Sequence, residues 1–287
     1  MRRQQPGSSM SVLIFTIVIV IGSYFAGLLG SLTGLGGGVV IIPLLTLLLK
    51  VDIHYAIGAS LVSVIATSSG SAAAYVKEGI TNLRLGMFLE IATTTGALCG
   101  AILALYIPAQ YIAVIFGVIL IFSALISLQK KAEYITHRKS YLAQKLKLNS
   151  SYPGSKGTVE YTVTKVGGGF FMMFFAGTIS GLLGIGSGAL KVIAMDSIMR
   201  IPFKVSTTTS NFMIGVTASA SAVVYLQRGY ISPGLTMPVV IGVLLGALTG
   251  SKILVNTKSS EWLRWVFAFV ISFLAVQMIY KGITGRI

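Results

Sequence analysis

The sequence predicts an all-α polytopic membrane protein made of two internal repeats of about four spans each, with a discontinuous, Gly-broken helix in every repeat. Three observations carry that prediction. Hydrophobic residues make up 54% of the 287-residue chain and charged residues 10%, with a mean hydropathy of +0.87. That is too little charge to cover a water-soluble globule. The second half repeats the first at an offset of about 150 residues through about 75 positions. Ala26-Gly27 returns as Ala176-Gly177, and Gly34, Gly36 and Gly38 return as Gly184, Gly186 and Gly188. Ser60, Thr67, Ser71, Tyr75 and Gly79 return as Ser210, Thr217, Ser221, Tyr225 and Gly229, and Gly96, Ala97 and Gly100 as Gly246, Ala247 and Gly250. The shared residues are mostly small or hydroxylic, the types that let helices approach and make polar contacts in a membrane. Third, the glycine clusters interrupt the apolar runs at the same place in both halves.

The elements follow in order. Residues 11–32 form a run long enough for the ~20 residues a bilayer demands. Arg2-Arg3 ahead of it resembles the start of a signal peptide, but Ala26 and Gly27 already belong to the repeated pattern, so a retained helix is expected. Residues 35–49 are too few to span and lie across Gly34-Leu35-Gly36-Gly37-Gly38, which breaks one helix and exposes the amides of the next. Residues 53–76, 83–107 and 111–128 complete the first repeat. The second has runs at 166–183, 203–226, 235–255 and 262–280, and its short run, 185–199, lies across Gly184-Ile185-Gly186-Ser187-Gly188. Trp262 and Trp265, beside Glu261 and Arg264, read as interfacial anchors.

Between the repeats, residues 129–165 carry Lys130, Lys131, Arg138, Lys139, Lys145, Lys147, Lys156 and Lys165 against Glu133 and Glu160. The chain thus divides into a first transmembrane repeat (1–128), a basic linker (129–165) and a second transmembrane repeat (166–287). The positive-inside bias puts the linker in the cytoplasm, and its lack of a repeat partner makes it largely dispensable for substrate binding. With four net crossings per repeat, Arg2-Arg3, Lys77, Arg84, Arg228, Lys281 and Arg286 would all share the linker's side. If each broken segment instead turns back as a hairpin, the crossing number is odd and the repeats are inverted. The sequence leaves this parity open. The net charge of +15 lies between apolar runs rather than on one amphipathic face, so it reads as topology signal and not as a nucleic-acid surface.

The candidate binding residues cluster at the breaks. A helix N-terminus left open inside a membrane presents free N–H groups and roughly half a positive charge, and glycines let a ligand reach that backbone. Gly34, Gly36, Gly37 and Gly38 in one repeat, and Gly184, Gly186, Ser187 and Gly188 in the other, are therefore candidates for holding an anion. Lys191 shares a helical face with Ser187 and Gly188. An ammonium at that depth needs a counter-ion, which is an anionic substrate or a permanent partner such as Asp196, unless the side chain snorkels. Two hydroxyl stripes, Ser60, Ser63, Thr67 and Ser71 and then Ser210, Thr217 and Ser221, read mainly as packing. Their ends near the breaks, Ser60, Ser210 and Asn211, are the candidates for donating to an oxyanion. Glu90 is the other charge inside a span, either a carrier for a coupled proton or an interfacial group paired with Arg84 or Lys77. The lone Cys99 lies in an apolar run, reads as a buried inert thiol and excludes an intrachain disulfide.

Phe25-Ala26-Gly27 through the first glycine cluster to Pro43, Ala56-Ile57-Gly58-Ala59-Ser60-Leu61, and the counterparts from Ala176-Gly177 to Gly188 and Thr207-Thr208-Thr209-Ser210-Asn211 resemble the TauE/SafE family of sulfite exporters. The resemblance covers nearly all of the chain outside the linker. It implies a multi-pass cell-membrane transporter of small inorganic or organic sulfur oxyanions, working in the export direction. The chain departs from internal symmetry where Lys191 and Ile193 stand opposite Ile41 and Pro43, so the second half is specialised.

An anion-selective channel, or an uptake transporter for a related oxyanion, would use the same helix ends. The spans hold no paired carboxylates, His cluster or nucleophile–base dyad, which argues against an enzyme. No metal site or cofactor is expected, and the absence of a Gly-x-x-x-x-Gly-Lys-Ser/Thr loop argues against ATP-driven transport by this chain. The expected partners are the anion, the bilayer and a coupling proton.

Overall fold

The structure, a computed structural model, describes residues 12–33, 37–128, 140–154, 157–256 and 261–285. The first half runs α1 (Val12–Thr33), α2 (Gly38–Pro43) continuing into a π-helical turn (Leu44–Leu48), α3 (Ile53–Lys77), α4 (Leu83–Ala104) and α5 (Ala109–Leu128). The linker contributes α6 (Tyr141–Lys145) and an antiparallel hairpin, β1 (Ser150–Gly154) with β2 (Gly157–Tyr161). The second half repeats the order: α7 (Val166–Leu183), α8 (Gly188–Ile193) with a π-helical turn (Ala194–Ile198), α9 (Phe203–Gln227), α10 (Pro233–Asn256) and α11 (Glu261–Ile283). Five of the described helices are long and apolar enough to cross a membrane. Each broken helix with its π turn rises only about 16 Å, half the thickness of a hydrocarbon core.

Local chemistry sets the boundaries. Asn82 caps α4 by accepting from the Leu85 amide at 3.1 Å. Gly184, at φ +67°, ends α7 in the left-handed conformation while its amide bonds back to the Ser180 carbonyl. The π turn of the first half follows Pro43, but the second half makes the same turn behind Ile193, so proline is not its cause.

Close packing of backbones organises the bundle. A Cβ on Gly96 or Gly100 of α4 would collide with the carbonyl oxygens of Phe174 or Thr178 on α7. One on Gly177 or Gly181 would collide with those of Thr93 or Ala97. Two small-x-x-x-small faces thus meet along parallel helices, where dispersion between touching backbones drives association that lipid-like side chains cannot. The same relation joins α1 to α10, where Gly27 meets Val243, and Gly242 and Gly246 meet Val20 and Tyr24. In contrast, α5 and α11 are antiparallel, Gly117 touching Ile279 and Gly282 touching Val114.

These approaches also fix direction. Gly22 of α1 lies against Leu44, and residues 26 and 27 lie against Gly37. So α2 and its π turn run back alongside α1 before α3 turns again. Gly168 and Gly169 of α7 make the same return against Ile198 and Met199. Each half therefore holds four full-length helices and one half-length segment that turns back, and it enters and leaves at opposite ends of the bundle. The halves are related in the inverted sense. As a result Arg228 and Lys281 do not share the linker's end: Tyr230 lies against Gly58 near the start of α3, and the Lys281 ammonium donates to the Leu47 carbonyl at 3.2 Å.

One further expectation is corrected. Cys99 is exposed on the outer face of α4, because an apolar run in a membrane protein faces lipid as readily as core. The described part of the linker packs against the bundle. Asn82 Nδ2 donates to the Leu148 carbonyl (2.9 Å) and to the Tyr161 hydroxyl (2.8 Å), and Thr164 donates through its amide and hydroxyl to Met199 O (3.1 Å each). Ala143, Leu148, Tyr152, Tyr161 and Val163 are buried in one apolar cluster with residues of α4, α9 and the second π turn.

Candidate functional site

The second glycine break holds three left-handed residues, Gly184 (φ +67°), Gly186 (φ +73°) and Ser187 (φ +47°). Glycine meets that geometry without strain, whereas Ser187 adopts it at a cost. Gly186 is wedged between Val64 of α3 and Ile214 of α9, residues that correspond to each other under the offset of about 150. The break thus sits where the two halves meet. Gly38 of the other break lies nearby: a Cβ there would fall 2.6 Å from Ser60 Oγ and 3.3 Å from Gly184 O.

The predicted hydroxyls hold this junction. Ser60 Oγ donates to Gly184 O across the halves at 2.8 Å, and Ser210 Oγ donates to Gly188 O at 3.2 Å. Asn211 is half-buried beside Ser210. Gly37 caps α2, its carbonyl accepting from the Val40 and Ile41 amides. Gly34 and Gly36 lie outside the described residues. Ser187 Oγ is buried and, among the described residues, has no hydrogen-bond partner. It lines a cavity of about 10 Å³ with Gly188, Ile185, Leu190, Val39, Ile119 and Ser123, room for about one water molecule. Both breaks and α5 contribute to that cavity, and it is too small for an oxyanion in this conformation.

Lys191 projects from α8 and is fully buried. Its ammonium donates to Thr217 Oγ1 at 2.5 Å, and that hydroxyl donates to Glu90 Oε1 at 2.6 Å. Thr94 Oγ1 also donates to Glu90 Oε1, at 3.0 Å. Lys191 and Glu90 are therefore joined through one hydroxyl, and Glu90 lies within electrostatic reach of Lys191. Glu90 is 7% exposed, so it is no interfacial group paired with Arg84 or Lys77. Both of those residues are at the exposed ends of their helices, whereas Glu90 lies two turns inside α4. Thr217 escaped the sequence reading because it sits in a stripe explained by packing. The available signal was that opposite charges inside a membrane seek each other. Across the offset the three correspond to Ile41, Thr67 and Val240, so the other half has a hydroxyl and no charges.

The profile of the family described as Sulfite exporter TauE/SafE matches residues 19–278. The chain belongs to the TauE/SafE family. It is similar to the probable membrane transporter protein YunE of Bacillus subtilis (strain 168), with 31% identity over 277 residues covering 94% of this chain and 98% of YunE. It is also similar to the probable membrane transporter protein YdhB of the same strain (26%, covering 82% and 89%) and to a probable membrane transporter protein of Xylella fastidiosa (strain Temecula1; 24%, covering 94% and 97%). No solved structure matches the chain. As a TauE/SafE protein with its apolar helices, the chain is a multi-pass membrane transporter.

Proposed function

We propose that this TauE/SafE protein is a secondary transporter of small sulfur oxyanions such as sulfite or organosulfonates, exporting them from the cytoplasm. The anion occupies the junction of the two breaks, and the linker lies on the cytoplasmic side. The observation that carries the reading is the fully buried Lys191 next to the second break. An ammonium held among apolar helices costs at least a few kcal/mol unless an anion compensates it. Ser187, whose hydroxyl is buried without a partner among the described residues, supplies a donor four residues away, on the same helical face. The backbone amides around Gly188 supply the rest, at a place where glycine admits close approach. Lys77, Arg84, Lys145, Lys147, Lys165, Arg200 and Lys204 all lie toward the linker's end, against Lys50, Arg228 and Lys281 at the other, which supports a cytoplasmic linker.

Thermal shift of the purified protein against sulfite, sulfate, thiosulfate, sulfoacetate, taurine and halides tests the substrate class. Stabilisation by sulfur oxyanions in the parent, lost in Lys191→Met and partly kept in Lys191→Arg, is the expected result. Equal stabilisation of parent and Lys191→Met would remove Lys191 from the site. Stabilisation by halides alone would remove the sulfur oxyanion.

A further inference from the structure

We infer that Glu90 and the transported anion compete for Lys191, so that one proton and one anionic charge move together. The inference rests on the reading of Lys191 as the anion's counter-charge. Its basis is the bonding along Lys191, Thr217 and Glu90. The Lys191 ammonium makes one hydrogen bond among the described residues, to Thr217 Oγ1, and Thr217 hands the contact on to Glu90 Oε1. Glu90 is more than nine-tenths buried, and its second oxygen, Oε2, has no partner among the described residues. A carboxylate left half satisfied in a low-dielectric interior gains from taking a proton as soon as its cation is engaged elsewhere.

The charges balance in both states. Without substrate, ionised Glu90 neutralises Lys191 through Thr217. When Glu90 takes a proton on its carboxylate, the Lys191 ammonium is left to an incoming monoanion. Each cycle then carries one proton and one monoanion in the same direction with no net charge, so its direction follows the combined gradients and not the membrane potential.

Few titratable or charged groups lie on the elements around Glu90 among the described residues. On its own helix Glu90 has Thr94 close by, with Arg84 at the exposed first turn and Cys99 on the outer face. From α9 come Thr217, the exposed Lys204 near its start, and Tyr225, which donates to the carbonyls of Gly181 and Leu182. Helix α7 carries no ionisable side chain. The broken helix brings Lys191 and, in its π turn, Asp196. The linker brings Tyr161, whose hydroxyl accepts from Asn82.

The test is calorimetric binding of sulfite, sulfate and methanesulfonate to the purified full chain. Each titration is run in two buffers of different ionisation enthalpy and repeated from pH 5 to 9, after subtracting protonation of the anion itself. The parent should take up about one proton per bound methanesulfonate, and its affinity should fall with rising pH, by about tenfold per pH unit at the limit where the whole proton is taken up on binding. Glu90→Gln keeps the shape and the contact with Thr217 but holds no exchangeable charge. It should bind without proton uptake and with affinity independent of pH. Thr217→Val, which breaks the connection without touching either charge, should shift the pH at which affinity falls. Parent binding without proton uptake overturns the inference and leaves the anion reading standing. An unchanged slope in Glu90→Gln moves the proton elsewhere and overturns it too. If the parent binds none of the three anions, the anion reading falls and this inference falls with it. A Glu90 that only supports the fold would lower the melting temperature of the Gln variant and leave the pH slope as in the parent.

Discussion

Ser60 on α3 and Gly184 at the end of α7 are joined by a 2.8 Å hydrogen bond between residues 124 positions apart. The hydroxyl comes from one half and the carbonyl from the break in the other, so the bond ties the two halves together where both glycine breaks converge. Ser60→Ala would leave the buried Gly184 carbonyl short of a partner, at a cost of about 1–3 kcal/mol. A clear drop in the melting temperature of the detergent-solubilised protein is expected. Ser210→Ala, which loses a longer 3.2 Å bond within one half, should cost less. Equal losses would show that the bridge between halves has no special weight.

The α4–α7 seam should be the least tolerant part of the bundle. A Cβ at Gly181 would meet the Ala97 carbonyl, and Gly177 has the same relation to Thr93. Backbone cannot swing aside as a side chain does, so even Gly181→Ala should exceed the 1–3 kcal/mol typical of overpacking and sharply reduce the monodisperse fraction in size-exclusion chromatography. Gly167→Ala is the control, because nothing lies within 4 Å of its position. Gly186→Leu belongs with the intolerant set, since φ is +73° and its Cβ would press on Ile214 and Val64. Loss of transport in that variant would therefore report folding and not binding.

How far the sequence could be read is clear from these residues. Hydropathy and the offset repeat placed every long helix within a few residues; the run at 166–183 coincides with α7. They also placed both breaks, because glycine clusters and run length are local signals. The return of α2 along α1 was not legible, because direction after a break depends on which distant backbones touch, as Gly22 does Leu44. Glu90 and Lys191 were visible as intramembrane charges. Their connection through Thr217 was not, since it needs α4, α8 and α9 to converge. The hairpin of the linker was hidden beneath its charge, which drew attention to the lysines and away from Tyr152 and Tyr161, the residues it buries.

At the end of the bundle away from the linker, stability should depend on acid. Asp52 precedes α3, and its carboxylate accepts from the His54 amide at 2.9 Å and pairs with His54 Nδ1 at 3.0 Å. The His54 ring bond, ahead of the other contacts and against partial burial, holds the Asp52 pKa below its ordinary 3.8. A carboxyl with a lowered pKa in the folded state contributes its full stability above the unfolded value and loses it as pH falls through the folded one. The contribution is thus complete above about pH 5 and disappears below pH 3.8. Solvent screens the pair, with 39% of the Asp52 side chain exposed, so the effect is modest. Asp52→Ala should cost about 1 kcal/mol as a lost helix cap, and the gap between its melting temperature and the parent's should narrow progressively as pH falls below 3.8. A gap that stays constant throughout that acid range would show that ionisation of Asp52 contributes nothing.

The course of α4 and α5 makes a prediction about sidedness. Because α5 leads from the turn after α4 to the linker, that turn must face away from the linker. Ser151 is exposed on the linker hairpin, and Tyr106, at 74% exposure, lies in the turn after α4. With Cys99→Ala as background, Tyr106→Cys should react with a membrane-impermeant maleimide added to intact cells. Ser151→Cys should react only after the membrane is opened. Labelling of both from outside would place α4 wrongly, because a single helix of 22 residues is long enough to cross and cannot present both of its ends to one side. Labelling of Ser151→Cys alone would keep the inverted arrangement and turn the molecule over. Lys77, Arg84, Lys145, Lys147, Lys165, Arg200 and Lys204 would then face outward, against the bias that orients membrane proteins.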